Sequence, residues 1–221
     1  MSERIPDGDR CERFEKLYTG LVADVLDEHG YHDQTLNSDI GPLRPDMTAV
    51  GVAFPVVGKA NRRVDPEAQM RRFLTMLGDV PAHSMLIVDA NSGDAAQVGE
   101  LTTTALRNQG CRGTVVDGGV RDTSFILEQN YPVFSRYLTP ADSIQRWELL
   151  RWDTSTVVGG VEVNPGDIVV ADLDGVVVVP DELAGGVLRE AEEMRDTESA
   201  VRAAICEGET PIDAYEEHGT F

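Results

Sequence analysis

Lysine is the residue this sequence most conspicuously lacks. Of 221 residues only Lys16 and Lys59 are lysines, and Lys+Arg total 19 against 39 Asp+Glu, for a formal net charge of -20. A surface with this balance repels phosphate backbones and anionic membranes, which argues against direct nucleic-acid or membrane binding. Acidic, lysine-poor surfaces suit a high-salt cytoplasm, where salt screens their self-repulsion, so the composition raises a halophilic source as an expectation. Cysteine is scarce too. Cys11, Cys111 and Cys206 are far apart and form no C-x-x-C pair, which disfavours a disulfide framework or a zinc site. No apolar run approaches the roughly 20 residues that span a bilayer. The start, Met1-Ser2-Glu3-Arg4-Ile5-Pro6, has no apolar stretch of the kind a secretory signal requires. These absences together predict a cytoplasmic protein.

What is present is ordinary for a globular chain: 41% hydrophobic and 26% charged residues. The length favours a single domain, 1–221. Periodicity and punctuation predict a helical region over 9–29, broken near Thr19-Gly20 and ended by Gly30. A loop at 37–47 and a strand at 50–57 follow. Next come a helix at 66–77 with Asp65 as cap and Gly78 as stop, and a buried strand at 85–88. A polar loop, 89–94, leads to a helix beginning at Gly99-Glu100-Leu101-Thr102 and ending near Asn108. Strand and helix alternate here, as in an α/β fold. From Thr156 the pattern becomes β-rich, with strands at 156–158, 161–163, 167–172 and 175–179, partly antiparallel. A C-terminal helical segment occupies about 181–217.

The most informative stretch is Gly110 to Asp122. Gly110 suits a left-handed helix stop, residues 114–117 read as a short buried strand, and Asp117-Gly118-Gly119 reads as a turn. Arg121 and Asp122 then stand at the mouth of the next helix, with Asp122 as its expected N-cap. One guanidinium and one carboxylate are presented side by side after a strand, where open α/β layers bind ligands. An Arg-Asp dipeptide alone is better read as solvated surface charge. The free N–H groups at the helix start around Glu100 suit a carboxylate or phosphate. Asp89 and Asp117 end strands and read as turn formers before anything else, and His83 reads as a surface residue after Pro81.

The pattern Gly110-x-x-Gly113-x4-Gly118-x2-Arg121-Asp122 resembles the signature of the RraA-like family, which includes regulators of ribonuclease activity and class II 4-hydroxy-4-methyl-2-oxoglutarate (HMG/CHA) aldolases. Further blocks stand in family order: Val22 to Asp27, Gly99-Glu100, Pro132-Val133-Phe134, and Asn164-Pro165-Gly166-Asp167 through Asp174-Gly175-Val176. The likeness covers roughly 17–215. It implies a swivelling-type β/β/α layered single domain and a homotrimer or homohexamer with sites near subunit interfaces. The aldolases place an acidic residue, usually Asp, before the Arg-Asp pair with twenty residues intervening; here Glu100 stands at that spacing, one methylene longer.

The resemblance implies cleavage of a 4-hydroxy-2-oxo acid to pyruvate, with oxaloacetate decarboxylation through the same pyruvate enolate. Such an enolate is stabilised by a lysine Schiff base or by a metal Lewis acid. Neither Lys16 nor Lys59 falls in the candidate site, so the metal route is expected. Asp122 would hold Mg²⁺ or Mn²⁺ with water completing the shell. Arg121 would offset enolate charge. Gly99 would let the substrate approach the backbone closely, the N–H groups around Glu100, Leu101 and Thr102 would receive the pyruvyl carboxylate, and Glu100 would orient a water for proton transfer. A C-terminal acid from a neighbouring subunit is also implied. Glu198 matches best, although the charge run 190–198 reads equally as a solvated helix face. The alternative implied by the same family is a non-enzymatic regulator that binds a ribonuclease or an RNA helicase.

Overall fold

The computed structural model describes residues 5–91 and 94–218; Ser92 and Gly93, in the polar loop expected after Asp89, lie outside the described residues. The expected N-terminal helix is two helices, α1 (Asp7–Phe14) and α2 (Thr19–Glu28), and the chain breaks before Thr19 rather than after it. Within the expected loop a two-residue strand, β1 (Gly41–Pro42), pairs with a later strand. Then come β2 (Ala49–Ala60), α3 (Pro66–Asp79), β3 (Ser84–Asp89), β4 (Ala96–Val98), α4 (Glu100–Asn108) and β5 (Gly113–Val120). Asp65 caps α3 as expected, accepting from the Glu67 and Ala68 N–H groups, but Gly78 does not stop that helix. The second half runs α5 (Thr123–Gln129), β6 (Val133–Leu138), β7 (Trp147–Trp152), β8 (Thr156–Val158), β9 (Val161–Val163), β10 (Ile168–Ala171) and β11 (Val176–Val179). It ends in α6 (Asp181–Cys206) and α7 (Pro211–His218).

The main sheet is ordered β1-β6-β5-β3-β2-β10-β11, with β4 paired to β5 and β7 paired to β2. Strands β2, β3, β5 and β6 run parallel, as α/β alternation requires, while β10 joins β2 antiparallel and forms a hairpin with β11. The long β2 carries two partners on one edge. Its first residues pair with β10, and from Val56 onward it pairs with β7, across a register shift at Val57/Gly58. A strand that changes partners this way curls the sheet toward closure.

Three apolar clusters make the layers. Helices α3, α4 and α5 cover one face through Met76, Leu77, Leu106 and Ile126, which pack with Val116, Val120 and Trp147. The β8–β9 hairpin covers the other face through Val158, Val161 and Val163, against Met85, Ile87, Val115 and Phe134. Helices α1, α2 and α6 close the β10–β11 end around Phe14, Leu21, Leu26, Val179 and Leu188. The molecule is therefore a mixed α/β single domain with helices, sheet and a small second β layer stacked in order.

One expectation at the central stretch is corrected. Asp117-Gly118-Gly119 is not a turn; β5 continues through it to Val120, with a register shift against β6 between Val116 and Gly119. The two glycines are there for space. A Cβ on Gly118 would meet the Gln97 carboxamide at 2.5 Å and Ala90 at 2.6 Å, and one on Gly119 would meet the Ala95 carbonyl and the Tyr137 ring at 2.6 Å. Only a strand without side chains there lets β4 and β6 flank β5 so closely. Gly110, by contrast, behaves as expected and ends α4 at φ +82°.

Candidate functional site

The site grows from the pairing of β4 with β5. Val98 lies beside Val120, so the residues that follow each strand, Gly99-Glu100 and Arg121-Asp122, leave the sheet at one place. The Arg121 N–H donates to the Val98 carbonyl at 3.0 Å and ties the two exits together. Asp122 then adopts φ 56°, ψ 33°, a left-handed conformation uncommon for a residue with a Cβ. This corrects its expected role. Its side chain does not cap α5; instead Asp122 Oδ2 accepts from the Glu100 N–H at 3.3 Å, at the start of α4. The left-handed step turns the carboxylate back toward the neighbouring strand exit, and strain of this kind concentrates at functional sites.

Gly99 is the hinge of the arrangement. Its backbone is extended, at φ −148° and ψ −171°, so the conformation itself does not demand glycine. Space does. A Cβ there would lie 2.7 Å from Asp122 Oδ2, 3.1 Å from Arg121 Cγ and 3.3 Å from Arg121 Nε. The first-turn N–H groups of Leu101 and Thr102 have no carbonyl within α4 to donate to, so they are open to an anion. The Glu100 carbonyl is held by the Thr103 and Thr104 hydroxyls at 3.0 and 2.9 Å, which fixes the first turn.

Gly99, Glu100, Leu101, Thr102, Arg121 and Asp122 all line one cleft of about 400 Å³. The sequence reading missed two of its features. The first is Asp142, whose Oδ1 lies 3.6 Å from Arg121 Nη1, while Arg121 Nε lies 3.5 Å from Asp122 Oδ2. Asp142 reaches the cleft because the segment before β7 bridges to β4 at Ala96, a long-range contact with no periodic signal. The second is an apolar wall contributed by Met70, Phe73 and Leu74 of α3, Phe125 of α5 and Ile144. Leu74 and Phe125 are 58% and 57% exposed.

Other expected residues lie elsewhere. Glu198 sits on α6 and lines a separate surface groove with Val201, Arg202, Ile205 and Cys206. There it accepts from the Tyr18 hydroxyl and pairs with Arg202 at 3.8 Å. Burial, then that hydrogen bond, pushes the Tyr18 phenol up to about 12. Asp89 accepts from the Thr156 hydroxyl at 2.8 Å, and Asp117 pairs with Arg136 and accepts from the Gly159 N–H at 2.7 Å. Both therefore anchor the β8–β9 layer, and burial raises the Asp117 carboxyl above its ordinary value. His83 is exposed, as expected. Lys59, at the exposed end of β2, lies 3.5 Å from Glu148, and neither lysine lines the cleft.

Among the described residues no three His, Cys, Asp or Glu side chains converge as a closed metal cage. The cleft's anionic donors are carboxylate oxygens alone, from Glu100, Asp122 and Asp142. That set fits a hard cation held by one carboxylate, substrate and water, as Mg²⁺ is commonly held, and does not fit zinc or copper.

Residues 19–178 match the family model described as RraA-like: Aldolase/RraA. "Protein DlpA" of Legionella pneumophila is 33% identical over 199 residues, 89% of this chain but 32% of that protein, so the chain spans about a third of its length. A Halalkalibacterium halodurans protein named "Putative 4-hydroxy-4-methyl-2-oxoglutarate aldolase" is 28% identical over 209 residues, 94% of this chain and 93% of that one. The crystal structure of Streptomyces coelicolor RraAS2, called an unusual member of the RNase ES inhibitor RraA family, superposes with a TM-score of 0.79 at 26% identity. It covers 89% of this chain and 97% of the other. With the family model spanning both strand exits and the cleft between them, the chain belongs to the RraA-like family.

Proposed function

We propose that this chain is a divalent-cation-dependent aldolase that cleaves 4-hydroxy-2-oxo acids to pyruvate and decarboxylates oxaloacetate. The observation that carries the reading is the convergence of Arg121, Asp122 and the first turn of α4 on one cleft that no lysine lines. Asp122 would hold Mg²⁺ or Mn²⁺, and the cation, when bound, supplies a Lewis acid for the substrate's 2-oxo group. The protein's own contributions follow from the geometry. The N–H groups of Leu101 and Thr102 orient the pyruvyl carboxylate. The Arg121 guanidinium stabilises negative charge as the C3–C4 bond opens, an interaction stronger in the transition state than in the ground state. Glu100, at the first position of α4, accepts the C4 hydroxyl proton through a water and returns a proton to C3 of the enolate. Oxaloacetate yields the same enolate by losing CO₂ from C4.

The resemblance to H. halodurans and S. coelicolor relatives supports both an enzyme and a regulator; the cleft favours the enzyme. We further propose a cytoplasmic homotrimer or homohexamer in which Glu198 reaches the cleft from a neighbouring copy, since within one chain it lines a separate groove. Pyruvate release from oxaloacetate and from 4-hydroxy-4-methyl-2-oxoglutarate, with and without Mg²⁺, tests the activity. Release from neither of these, nor from the monocarboxylate 4-hydroxy-2-oxoheptanoate, would sink it and turn attention to pull-downs with ribonuclease or helicase partners. Light scattering that gives a monomer at both low and high salt would remove the assembly.

A further inference from the structure

We propose that Asp142 and the apolar wall make this cleft select 2-oxo acids with an uncharged, apolar distal end over dicarboxylates. The inference rests on the aldolase reading and names its substrate class. Among the described residues, Arg121 is the only basic side chain that lines the cleft. Its guanidinium already faces two carboxylates, Asp122 at 3.5 Å from Nε and Asp142 at 3.6 Å from Nη1. One ligand carboxylate can use the α4 N–H groups and the remaining Arg121 donors. A second carboxylate finds no further basic side chain among the described residues of the cleft and meets Asp142 instead, a like-charge contact that discriminates against it.

Asp142 is a fixed part of the wall. Its Oδ1 accepts from the Ile144 N–H at 3.4 Å, and its carbonyl accepts from Arg146 Nη1 at 2.9 Å. The bridge to Ala96 anchors its backbone to β4. Met70, Leu74, Phe125 and Ile144 line the same cleft and offer an alkyl chain an apolar surface.

For a substrate bearing an alkyl group and a hydrogen at C4, the chemistry balances without a co-reactant. The C3–C4 bond breaks and its electron pair passes to C3. The C4 hydroxyl loses its proton to the water held by Glu100, and C4 leaves as an aldehyde. Protonation of C3 then gives pyruvate.

The test is calorimetric titration of the assembled protein, in Mg²⁺, with 2-oxohexanoate and with 2-oxoglutarate, alongside cleavage of 4-hydroxy-2-oxoheptanoate and 4-hydroxy-4-methyl-2-oxoglutarate. We expect 2-oxohexanoate to bind about tenfold tighter or more, from burial of its alkyl tail. Asp142→Ala should raise 2-oxoglutarate affinity by up to about fivefold relative to 2-oxohexanoate, the scale of one exposed charge contact, and so narrow the preference between the two acids. Leu74→Ser should weaken 2-oxohexanoate alone. Equal binding, or tighter 2-oxoglutarate binding, overturns this inference while the aldolase reading stands. Failure of both acids to bind and of both substrates to be cleaved removes the two together. If Leu74→Ser dissociates the assembly and leaves the preference unchanged, the wall is an interface between copies and the inference falls.

Discussion

The close approach at Gly99 gives a quantitative handle on the site through Gly99→Ala. The added Cβ would stand 2.7 Å from Asp122 Oδ2 where ordinary contact begins at 3.4 Å, so the oxygen must retreat by about 0.7 Å. That displacement breaks its 3.3 Å bond from the Glu100 N–H and moves the carboxylate that would hold the cation. Arg121 is crowded at the same time, at Cγ and Nε. Misplacement on the scale of 1 Å can cost about 10²-fold in rate, because the reacting groups leave their productive geometry. Stability should respond much less. The backbone at Gly99 is extended, a conformation alanine adopts freely. Loss of glycine's unfolded-state freedom stabilises by about 0.4–1 kcal/mol. The crowded side chains are partly exposed and can swing away, which keeps the overpacking penalty near the lower end of about 1–3 kcal/mol. The net change should lie within about 1 kcal/mol, a Tm shift within about 4 °C for a chain of this size. The assay is pyruvate release across Mg²⁺ concentrations, with a thermal melt of the same sample. Unchanged kcat/KM and unchanged Mg²⁺ dependence in Gly99→Ala would refute the geometric account of the site.

Removing the guanidinium in Arg121→Ala should lower kcat by about 10²-fold or more with folding retained by circular dichroism, as for loss of one charge-stabilising donor. Asp122→Asn should weaken Mg²⁺ binding, because a neutral amide replaces the anionic ligand, and a Mg²⁺ titration of the rate reads this directly. Glu100→Gln should slow turnover with a smaller effect on cation affinity, and Glu100→Asp should retain activity if the family's shorter carboxylate fits. Chelator should abolish activity, and borohydride with pyruvate should trap no lysine adduct; a trapped adduct would replace the cation route with a Schiff base. Cys206 is exposed whereas Cys11 and Cys111 are buried, so a thiol reagent at pH 8 should label one thiol in the native protein and three in denaturant. Burial pushes the Cys11 thiol up to about 11 from 9.0. The folded state therefore keeps a proton that the unfolded state releases, and this contribution to stability should be lost as pH rises from about 9 to about 11, as alkaline denaturation curves of wild type and Cys11→Ala would show.

The sequence by itself determined much of the scaffold, because the signals involved are local. The Asp65 cap, the left-handed stop at Gly110 and the bounds of α4, Glu100–Asn108, depend on neighbours a few residues away. So do the short valine-rich strands after Thr156. Resemblance to the family pattern also brought Glu100, Arg121 and Asp122 into one hypothesis, and all three line one cleft. Tertiary structure decided the rest. Glycines 118 and 119 read as a turn because glycine usually supplies conformational freedom; only the proximity of Gln97, Ala95 and Tyr137 shows that they supply space within a strand. Strand β7, whose Trp147-Glu148-Leu149-Leu150 run carries no turn signal of its own, is defined by pairing with the far end of β2. Asp122 read as the cap of the helix it precedes, yet its left-handed backbone turns its carboxylate to a helix that begins 22 residues earlier. Asp142 was invisible for the same reason: its charge matters only because a bridge to Ala96 brings it beside Arg121, and contacts between distant segments leave no period in a sequence.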